Sequence, residues 1–287
     1  MKKWLVTLSL ISSVAITSAQ DTSDDTLFRF NHRISRCENY WIAFPKQVDI
    51  DAYPFGFVYI DPASGFIFNL EGYFKNNGGK FTRIVKSIDA NAREMYVLKP
   101  GIKTQVAIIG SDHNVDLDIY PRPDWLKIYN SYTDTLAHNV QWGRAYNGIH
   151  DSQMALIYLE QTYHITPHTE GVEIELAHAY NAVKRFDDAI KIAEAGLRNN
   201  VSEASLYKEL GNGYLSKGFA DRALEEYNSG MKLCDPTEMD IKSEMAMNTA
   251  KAYLSKNNQE GYVQWMQYAR AWAPRNSEIA ATIANME

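Results

Sequence analysis

The pattern of apolar and polar residues changes near Pro121, and this change divides the chain into two parts. Upstream, short runs of β-branched and aromatic residues are separated by turn residues, which is typical of strands. Downstream, apolar residues recur at intervals of three and four, which indicates amphipathic helices. The length of 287 residues also suits two domains. The sequence therefore predicts an α+β multidomain chain, with a β domain followed by a helical domain.

The upstream part predicts a β domain over residues 39–120. A hairpin is expected over residues 55–74, because Asp61-Pro-Ala-Ser-Gly65 combines the fixed φ of proline with a glycine that accepts a positive φ. Short strands at such regular spacing favour an antiparallel sandwich or a barrel-like domain. The expected strands cover residues 39–44, 55–61, 66–74, 81–88, 94–98 and 104–109.

Four tyrosines mark an internal repeat in the downstream part. Tyr146, Tyr180, Tyr214 and Tyr253 are separated by 34, 34 and 39 residues, and 34 residues is the length of the tetratricopeptide repeat (TPR). The clearest unit carries Tyr207, Leu210-Gly211, Tyr214, Gly218, Ala223, Tyr227, Gly230 and a closing Asp235-Pro236. In these residues the C-terminal half resembles TPR proteins. Four repeats are expected, at 136–169, 170–203, 204–237 and 243–276.

The resemblance implies an α-solenoid of helical hairpins that bury their apolar faces against one another. Small residues at Gly143, Ala177, Gly211 and Ala250 are expected to let the two helices of each unit approach closely. The last unit departs most from the pattern, with Tyr262 at a position where a small residue is usual. Residues 121–135 are then expected to form a linker and a first helix, and residues 277–287 a capping helix.

The resemblance also implies recognition of a partner. TPR arrays present the first helix of each unit on a concave surface, which accepts an extended peptide or a helix. We hypothesise that this surface binds backbone or carboxylate groups of a protein or peptide segment; the alternative is a solvated helix face without a ligand. Its expected positions form a polar, mildly basic ladder: Arg144, Asn147, His178, Asn181, Asn212 and Lys251.

The N-terminus has the order of a cleaved secretory signal. Lys2 and Lys3 precede an apolar stretch from Trp4 to Ile16, and small residues follow up to Ala19. The apolar stretch is shorter than the roughly 20 residues that a membrane-spanning helix needs. We therefore expect a signal peptide over 1–19, a leader segment over 20–38, and an exported protein, periplasmic or extracellular, with no membrane span after signal removal.

Charge and cysteine content narrow the class of partner. The chain has 29 basic and 35 acidic residues and no cluster of Lys and Arg, so nucleic acid and anionic membranes are not expected partners. Cys37 and Cys234 lie in different expected domains. Two small buried thiols are favoured over one inter-domain disulfide, although an oxidising compartment would permit the disulfide.

Motifs for catalysis and cofactor binding are missing from the sequence. It contains no Gly-x-Ser-x-Gly elbow, no His-Glu-x-x-His and no Gly-x-x-x-x-Gly-Lys phosphate loop. The acidic segment Asp112–Asp118 lacks the glycine and glutamate of a calcium loop, with Leu117 and Pro123 in their places, which favours a half-exposed strand or turn. We expect a non-enzymatic protein without cofactor or metal.

Two aromatic clusters complete the picture. The hairpin rings are expected mainly to form the β core, but exposed rings would support an alternative function, that of a carbohydrate-binding envelope component. These rings are Tyr53, Phe55, Phe57, Tyr59, Phe66, Phe68, Tyr73 and Phe74. A second cluster, Tyr262, Trp265, Tyr268 and Trp272, is expected to pack against the capping helix. The favoured interpretation is an exported, non-enzymatic protein-binding scaffold or adaptor.

Overall fold

A computed structural model describes residues 28–46, 51–84, 94–99, 102–129 and 131–286. The expected signal peptide and the first part of the leader segment lie outside these residues. The chain divides into two compact units, Met1–Asp151 (unit 1) and Ser152–Glu287 (unit 2), and the division falls inside the first expected repeat. No helix in the described ranges is long and apolar enough to cross a membrane.

Unit 1 is built on one antiparallel sheet. Within the described ranges the pairing order is β1 (His32–Arg33), β7 (Gln105–Ile108), β2 (Trp41–Ala43), β3 (Tyr53–Asp61) and β4 (Gly65–Asn77). Strand β4 pairs with both β5 (Lys80–Ile84) and β6 (Glu94–Val97). Because β4 is 13 residues long, its two halves serve two partners within the same sheet. The predicted sandwich or barrel is therefore wrong: the described strands form a single open sheet.

A β-bulge in the β3–β4 hairpin decides which side chains reach the core. Phe55 pairs with Gly72, whereas the next residue, Gly56, pairs with Leu70, so β4 contains one extra residue. The extra residue reverses the alternation of side chains along β4. Ile67 and Phe74 consequently belong to one core cluster on the same face, although regular alternation would place residues with six others between them on opposite faces. That cluster also contains Trp41, Phe55, Phe57, Tyr59, Phe81, Leu117 and Leu126.

A helix covers the opposite face of the sheet. Phe66 pairs with Ile60 on this face, and its ring meets Tyr146 of α2 (Thr135–Gly148) edge to face, with centroids 5.0 Å apart. Both faces are thus covered, and six of the eight hairpin rings are buried, with Tyr53 and Tyr73 partly buried. The expectation that these rings form the β core is confirmed. The carbohydrate-binding alternative loses the exposed rings on which it depended.

The segments between the sheet and α2 are helical turns. The acidic segment forms a 3-10 turn, Ser111–His113, followed by α1 (Asn114–Leu117), so it is a helical turn and not a strand. The first helix expected from Trp125 is reduced to the 3-10 turn Asp124–Ile128. Helix α2 begins only after Asp134, whose side chain accepts hydrogen bonds from the backbone N–H groups of Leu136 and Ala137.

Unit 2 consists of paired helices. In chain order these are α3 (Ser152–Ile165), α4 (Val172–Ala182), α5 (Phe186–Asn199), α6 (Ala204–Ser216), α7 (Ala220–Leu233), α8 (Met239–Ser255), α9 (Gln259–Trp272) and α10 (Glu278–Ala284). The pairs α4–α5, α6–α7 and α8–α9 form hairpins, and the first helix α6 also contacts the first helices α4 and α8 on either side of it. The predicted array of TPR-type hairpins is confirmed.

A left-handed residue recurs after each first helix. His150, Lys184, Gly218 and Asn257 have φ values of 60°, 65°, 84° and 57°, and each follows its marker tyrosine by four residues. A residue in this conformation ends a helix and redirects the chain. The positive φ values of the backbone therefore repeat with the same spacing as the marker tyrosines.

Small residues allow the close helix contacts, as the repeat pattern implied. A Cβ on Gly211 would lie 2.4 Å from the ring of Tyr227. In the last hairpin the residue in close contact is Gly261, where a Cβ would lie 2.7 Å from the ring of Tyr253. The small position of this unit is thus displaced by one residue from Tyr262.

Both cysteines are free thiols. Cys37 is buried, and its burial raises the pKa of the thiol to about 12. Cys234 is half-buried, and burial with the nearby Glu238 raises its pKa to about 11. The expectation of a buried thiol therefore holds for Cys37, whereas Cys234 is only partly buried.

Candidate functional site

A buried carboxylate lies among the first helices of unit 2. Glu209, on α6, is 1% exposed. The Nδ1 atom of His178, on α4, lies 3.2 Å from its Oε1 atom. Asn181, one turn further along α4, donates through Nδ2 both to Oε2 and to the backbone carbonyl oxygen of Glu209, at 2.9 Å each. The side chain of Glu209 therefore joins α6 to α4.

A lysine joins the same carboxylate to α8. The Nζ atom of Lys208 lies 3.1 Å from Oε1 of Glu209 and 3.0 Å from Oε2 of Glu244. Only 13% of the Lys208 side chain is exposed. Two carboxylates thus neutralise one buried ammonium group, which meets the requirement that buried charges be paired.

Opposing effects set the protonation of these groups. Burial would raise the pKa of Glu209, but the charge of Lys208 and the hydrogen bond from His178 outweigh it, so the pKa lies well below its usual range. Burial would lower the pKa of Lys208, but Glu209 and Glu244 hold that pKa above its ordinary value. At neutral pH the pair is therefore fully ionised.

The polar contacts continue from α6 to the end of α8. Asn212 donates to Oε2 of Glu209 at 3.3 Å, and its Oδ1 accepts from the hydroxyl of Tyr227 at 2.8 Å and from Nδ2 of Asn248 at 2.9 Å. The Nζ atom of Lys251 donates to Oδ1 of Asn248 at 3.1 Å. We call this connected set the first-helix network: His178, Asn181, Lys208, Glu209, Asn212, Tyr227, Glu244, Asn248 and Lys251.

Four of the six expected ladder residues belong to the first-helix network. His178, Asn181, Asn212 and Lys251 are brought together, although largely through residues that the sequence analysis did not select. Arg144 and Asn147 lie on α2 in unit 1, the former exposed and the latter buried. The amide groups of Asn212 and Asn248 make hydrogen bonds within the network and so position the neighbouring side chains.

The three residues at the centre of the network were not predicted from the sequence. Lys208, Glu209 and Glu244 are charged, and charged residues on a helix usually face solvent. One signal was available: Glu209 directly precedes the core pair Leu210-Gly211, and it lies 31 residues after His178. Recognising the contact needs the side-by-side arrangement of the first helices, which the period alone does not give.

A second recurrent contact involves the marker tyrosines. The hydroxyl of Tyr180 donates to Oε1 of Glu160 at 2.9 Å, and that of Tyr214 donates to Oε1 of Glu194 at 3.1 Å, one repeat later. In unit 1, the hydroxyl of Tyr146 donates to Oε2 of Glu38 at 2.7 Å. The glutamate that elsewhere comes from the preceding second helix comes here from the segment before β2.

Asp151, just after α2, is contacted by two residues that precede β2 in the chain. Ser35 donates through Oγ to Oδ2 of Asp151 at 2.7 Å, in a buried position. The guanidinium of Arg36 lies 3.0 Å from the same carboxylate. Across the described ranges, no group of three or more His, Cys, Asp or Glu side chains could hold a metal ion.

No protein-family model matches the chain, and no curated protein matches it. Solved structures match about half of the chain. MamA from Desulfovibrio magneticus RS-1 is 16% identical with a TM-score of 0.41, over 52% of this chain and 80% of the MamA chain. A thermophilic TPR protein from Thermus thermophilus is 20% identical with a TM-score of 0.46, over 56% of this chain and 84% of that protein. The assignment of TPR-type hairpins rests on the helices and repeat contacts of this chain itself.

Proposed function

We propose that this chain is a non-enzymatic protein-binding scaffold, which holds a segment of a partner protein on the first helices of unit 2. The observation that carries the proposal is the first-helix network, because it ties α4, α6 and α8 together through buried charges. A surface fixed before binding loses less conformational entropy when a partner docks. We call the side of α4, α6 and α8 that carries the network the first-helix surface.

The chemistry of this surface favours groups that accept hydrogen bonds. The side chain of His178 is 40% exposed beside Glu209. Lys251 uses one of the three donors of its ammonium group on Asn248. Both side chains therefore have donor capacity for carboxylates or backbone carbonyl groups of an extended segment.

Site-specific cross-linking tests the proposal. A photoreactive side chain at Ser216, exposed one turn after Asn212 on α6, should capture a defined partner from the source cells. The same group at Lys232, exposed on the second helix α7, is the matched control and should not capture it. The double substitution His178→Ala with Lys251→Ala should abolish capture at Ser216. Equal capture at both positions, or capture that the double substitution leaves unchanged, would exclude this function.

We further propose that the protein is exported to the periplasm or the outside of the cell. Support comes from the basic start, short apolar stretch and small residues before Gln20. Cell fractionation with N-terminal sequencing tests it: a mature chain that begins at Gln20 outside the cytoplasm is expected. A cytoplasmic chain that retains residues 1–19 would contradict export.

A further inference from the structure

A cleft lined by apolar and charged residues, Asp221 and Arg222 among them, lies at one end of the first-helix surface. It has a volume of about 440 Å³ and lies between the α6–α7 turn and the end of α8. Leu215, Phe219, Ser255 and Lys256 are among its lining residues. Phe219 is 50% exposed, and Leu254, next to the lining residue Ser255, is 46% exposed. Large apolar side chains exposed together in this way mark interaction surfaces more often than isolated ones do.

The preceding hairpin shows that the repeat itself does not require these apolar residues. One repeat earlier, Asn181 stands at the position of Leu215, and Arg185 at the position of Phe219. The guanidinium of Arg185 lies 4.3 Å from the ring centroid of Tyr180 and pairs with Glu160 at 2.9 Å. That hairpin thus completes the same turn with polar groups bonded within the chain.

In the α6–α7 hairpin a different residue performs the packing role of that arginine. Arg222 lies over the ring of Tyr214, with 5.4 Å between its guanidinium carbon and the ring centroid. Phe219 is therefore not needed to cover the tyrosine, and half of it remains in solvent. Because a structural requirement would recur at each hairpin, the pairing of half-buried Leu215 with exposed Phe219 is better explained by a ligand.

The charges beside the cleft favour an acidic ligand. Lys256 pairs with Asp221, and Lys217, 5.8 Å from the ring centroid of Phe219, pairs with Asp187. The side chains of both carboxylates are at least 80% exposed, and such exposed pairs contribute little free energy. A partner carboxylate can therefore replace either one. Lys251, one turn before Ser255 on α8, adds a third ammonium group on the same side.

We propose that this cleft binds a bulky apolar side chain from an acidic segment of the partner. The inference rests on the proposed function and specifies the partner segment: a Leu, Phe or Trp residue enters between Leu215 and Phe219, and neighbouring carboxylates meet Lys217, Lys251 and Lys256. The contact is made by one polypeptide segment that continues along the first-helix surface.

Selection from a random peptide library displayed on phage, against the full chain, tests the proposal. The retained peptides should combine a bulky apolar residue with Asp or Glu. Fluorescence anisotropy with one retained peptide should show an affinity loss of about tenfold or more for the double variant Leu215→Asn with Phe219→Arg. These residues occupy the equivalent positions of the α4–α5 hairpin, so the variant should keep its helical circular dichroism. Leu233→Asn, at an exposed leucine near the end of α7, is the control and should bind normally.

The remaining outcomes separate this inference from the proposed function. Retained peptides that lack apolar or acidic residues, or that bind the double variant normally, overturn the cleft assignment. If such peptides still lose binding on His178→Ala with Lys251→Ala, the first-helix surface remains the binding site without the cleft. A library from which no peptide is retained contradicts both.

Discussion

At the scale of single residues, Glu209 shows what permits a charge inside a helical repeat. Removing a carboxylate from water is costly, and only close partners offset that cost. Here Lys208 lies 3.1 Å away and Asn181 donates twice. The partners come from α4 and from α6 itself, and Lys208 extends the contact to Glu244 on α8. The network therefore stabilises the contact between helices and not only one side chain.

Replacing the central carboxylate should destabilise unit 2. Glu209→Gln keeps the size of the side chain but removes its charge, and leaves buried Lys208 with Glu244 as its charged partner in the network. We expect the free energy of unfolding to fall by about 2–4 kcal/mol, measured by urea denaturation. Glu225→Gln, at an exposed position on α7, is the matched control and should change it by less than about 0.5 kcal/mol. Equal effects of the two substitutions would show that the network does not stabilise the fold.

The histidine of the network should make stability depend on pH. Burial lowers the pKa of His178, but the hydrogen bond and charge of Glu209 outweigh it, so the pKa is raised in the folded state. The resulting stabilisation is complete below the unfolded-state pKa of about 6.5, and is lost as the pH rises through the raised folded-state value. Between about pH 6 and about pH 8, the unfolding free energy of the parent should therefore decrease more than that of His178→Gln. Identical decreases in the two proteins would contradict the assignment.

At the scale of elements, the sequence predicted the helical hairpins better than the sheet. Hairpins depend on local spacing: Tyr214, Gly218 and Gly211 occupy fixed places in a 34-residue unit. Gly211 makes the expected close helix contact, and Gly218 has the positive φ found after each first helix. The sheet depends on which strands pair. Strand β4 is long enough to pair with two strands of the same sheet, and it contains one extra residue between Leu70 and Gly72. Neither feature can be predicted from the spacing of apolar residues.

A methyl group at the closest helix contact should destabilise the α6–α7 hairpin. In Gly211→Ala the new Cβ would meet the ring of fully buried Tyr227 at 2.4 Å, and overpacking of this kind costs about 1–3 kcal/mol. The better helix propensity of alanine recovers only part of this cost, up to about 1 kcal/mol. We therefore expect a lower melting temperature by differential scanning calorimetry. Gly148→Ala, in α2 with no atom within 4 Å of the new Cβ, is the control. A melting temperature that Gly211→Ala leaves unchanged would mean that Tyr227 moves freely.

At the scale of the whole molecule, contacts between residues far apart in the chain could not be predicted from the sequence. Residue 38 was expected only as the end of a leader segment, and Glu38 accepts hydrogen bonds from Nε1 of Trp142 at 2.8 Å and from the hydroxyl of Tyr146 at 2.7 Å. More than 100 residues separate the partners in the chain. Within unit 1, Glu38 therefore accepts the hydrogen bond of the marker tyrosine that in unit 2 is accepted by a glutamate of the preceding second helix.

Removing this glutamate should loosen α2 on the sheet. Glu38→Ala removes the hydrogen bond that Tyr146 donates to Glu38 and leaves the indole N–H of Trp142 without this acceptor. An unsatisfied donor in a protected position costs about 1–3 kcal/mol. Hydrogen–deuterium exchange followed by mass spectrometry should show faster exchange in Thr135–Gly148, by about tenfold. Glu94→Ala removes a comparable bond, accepted from the hydroxyl of Tyr96 at 2.7 Å in an exposed position, and should leave α2 unchanged. If amide exchange in α2 is as slow in both variants as in the parent, the Phe66–Tyr146 contact is sufficient to hold the helix on the sheet and Glu38 is not needed.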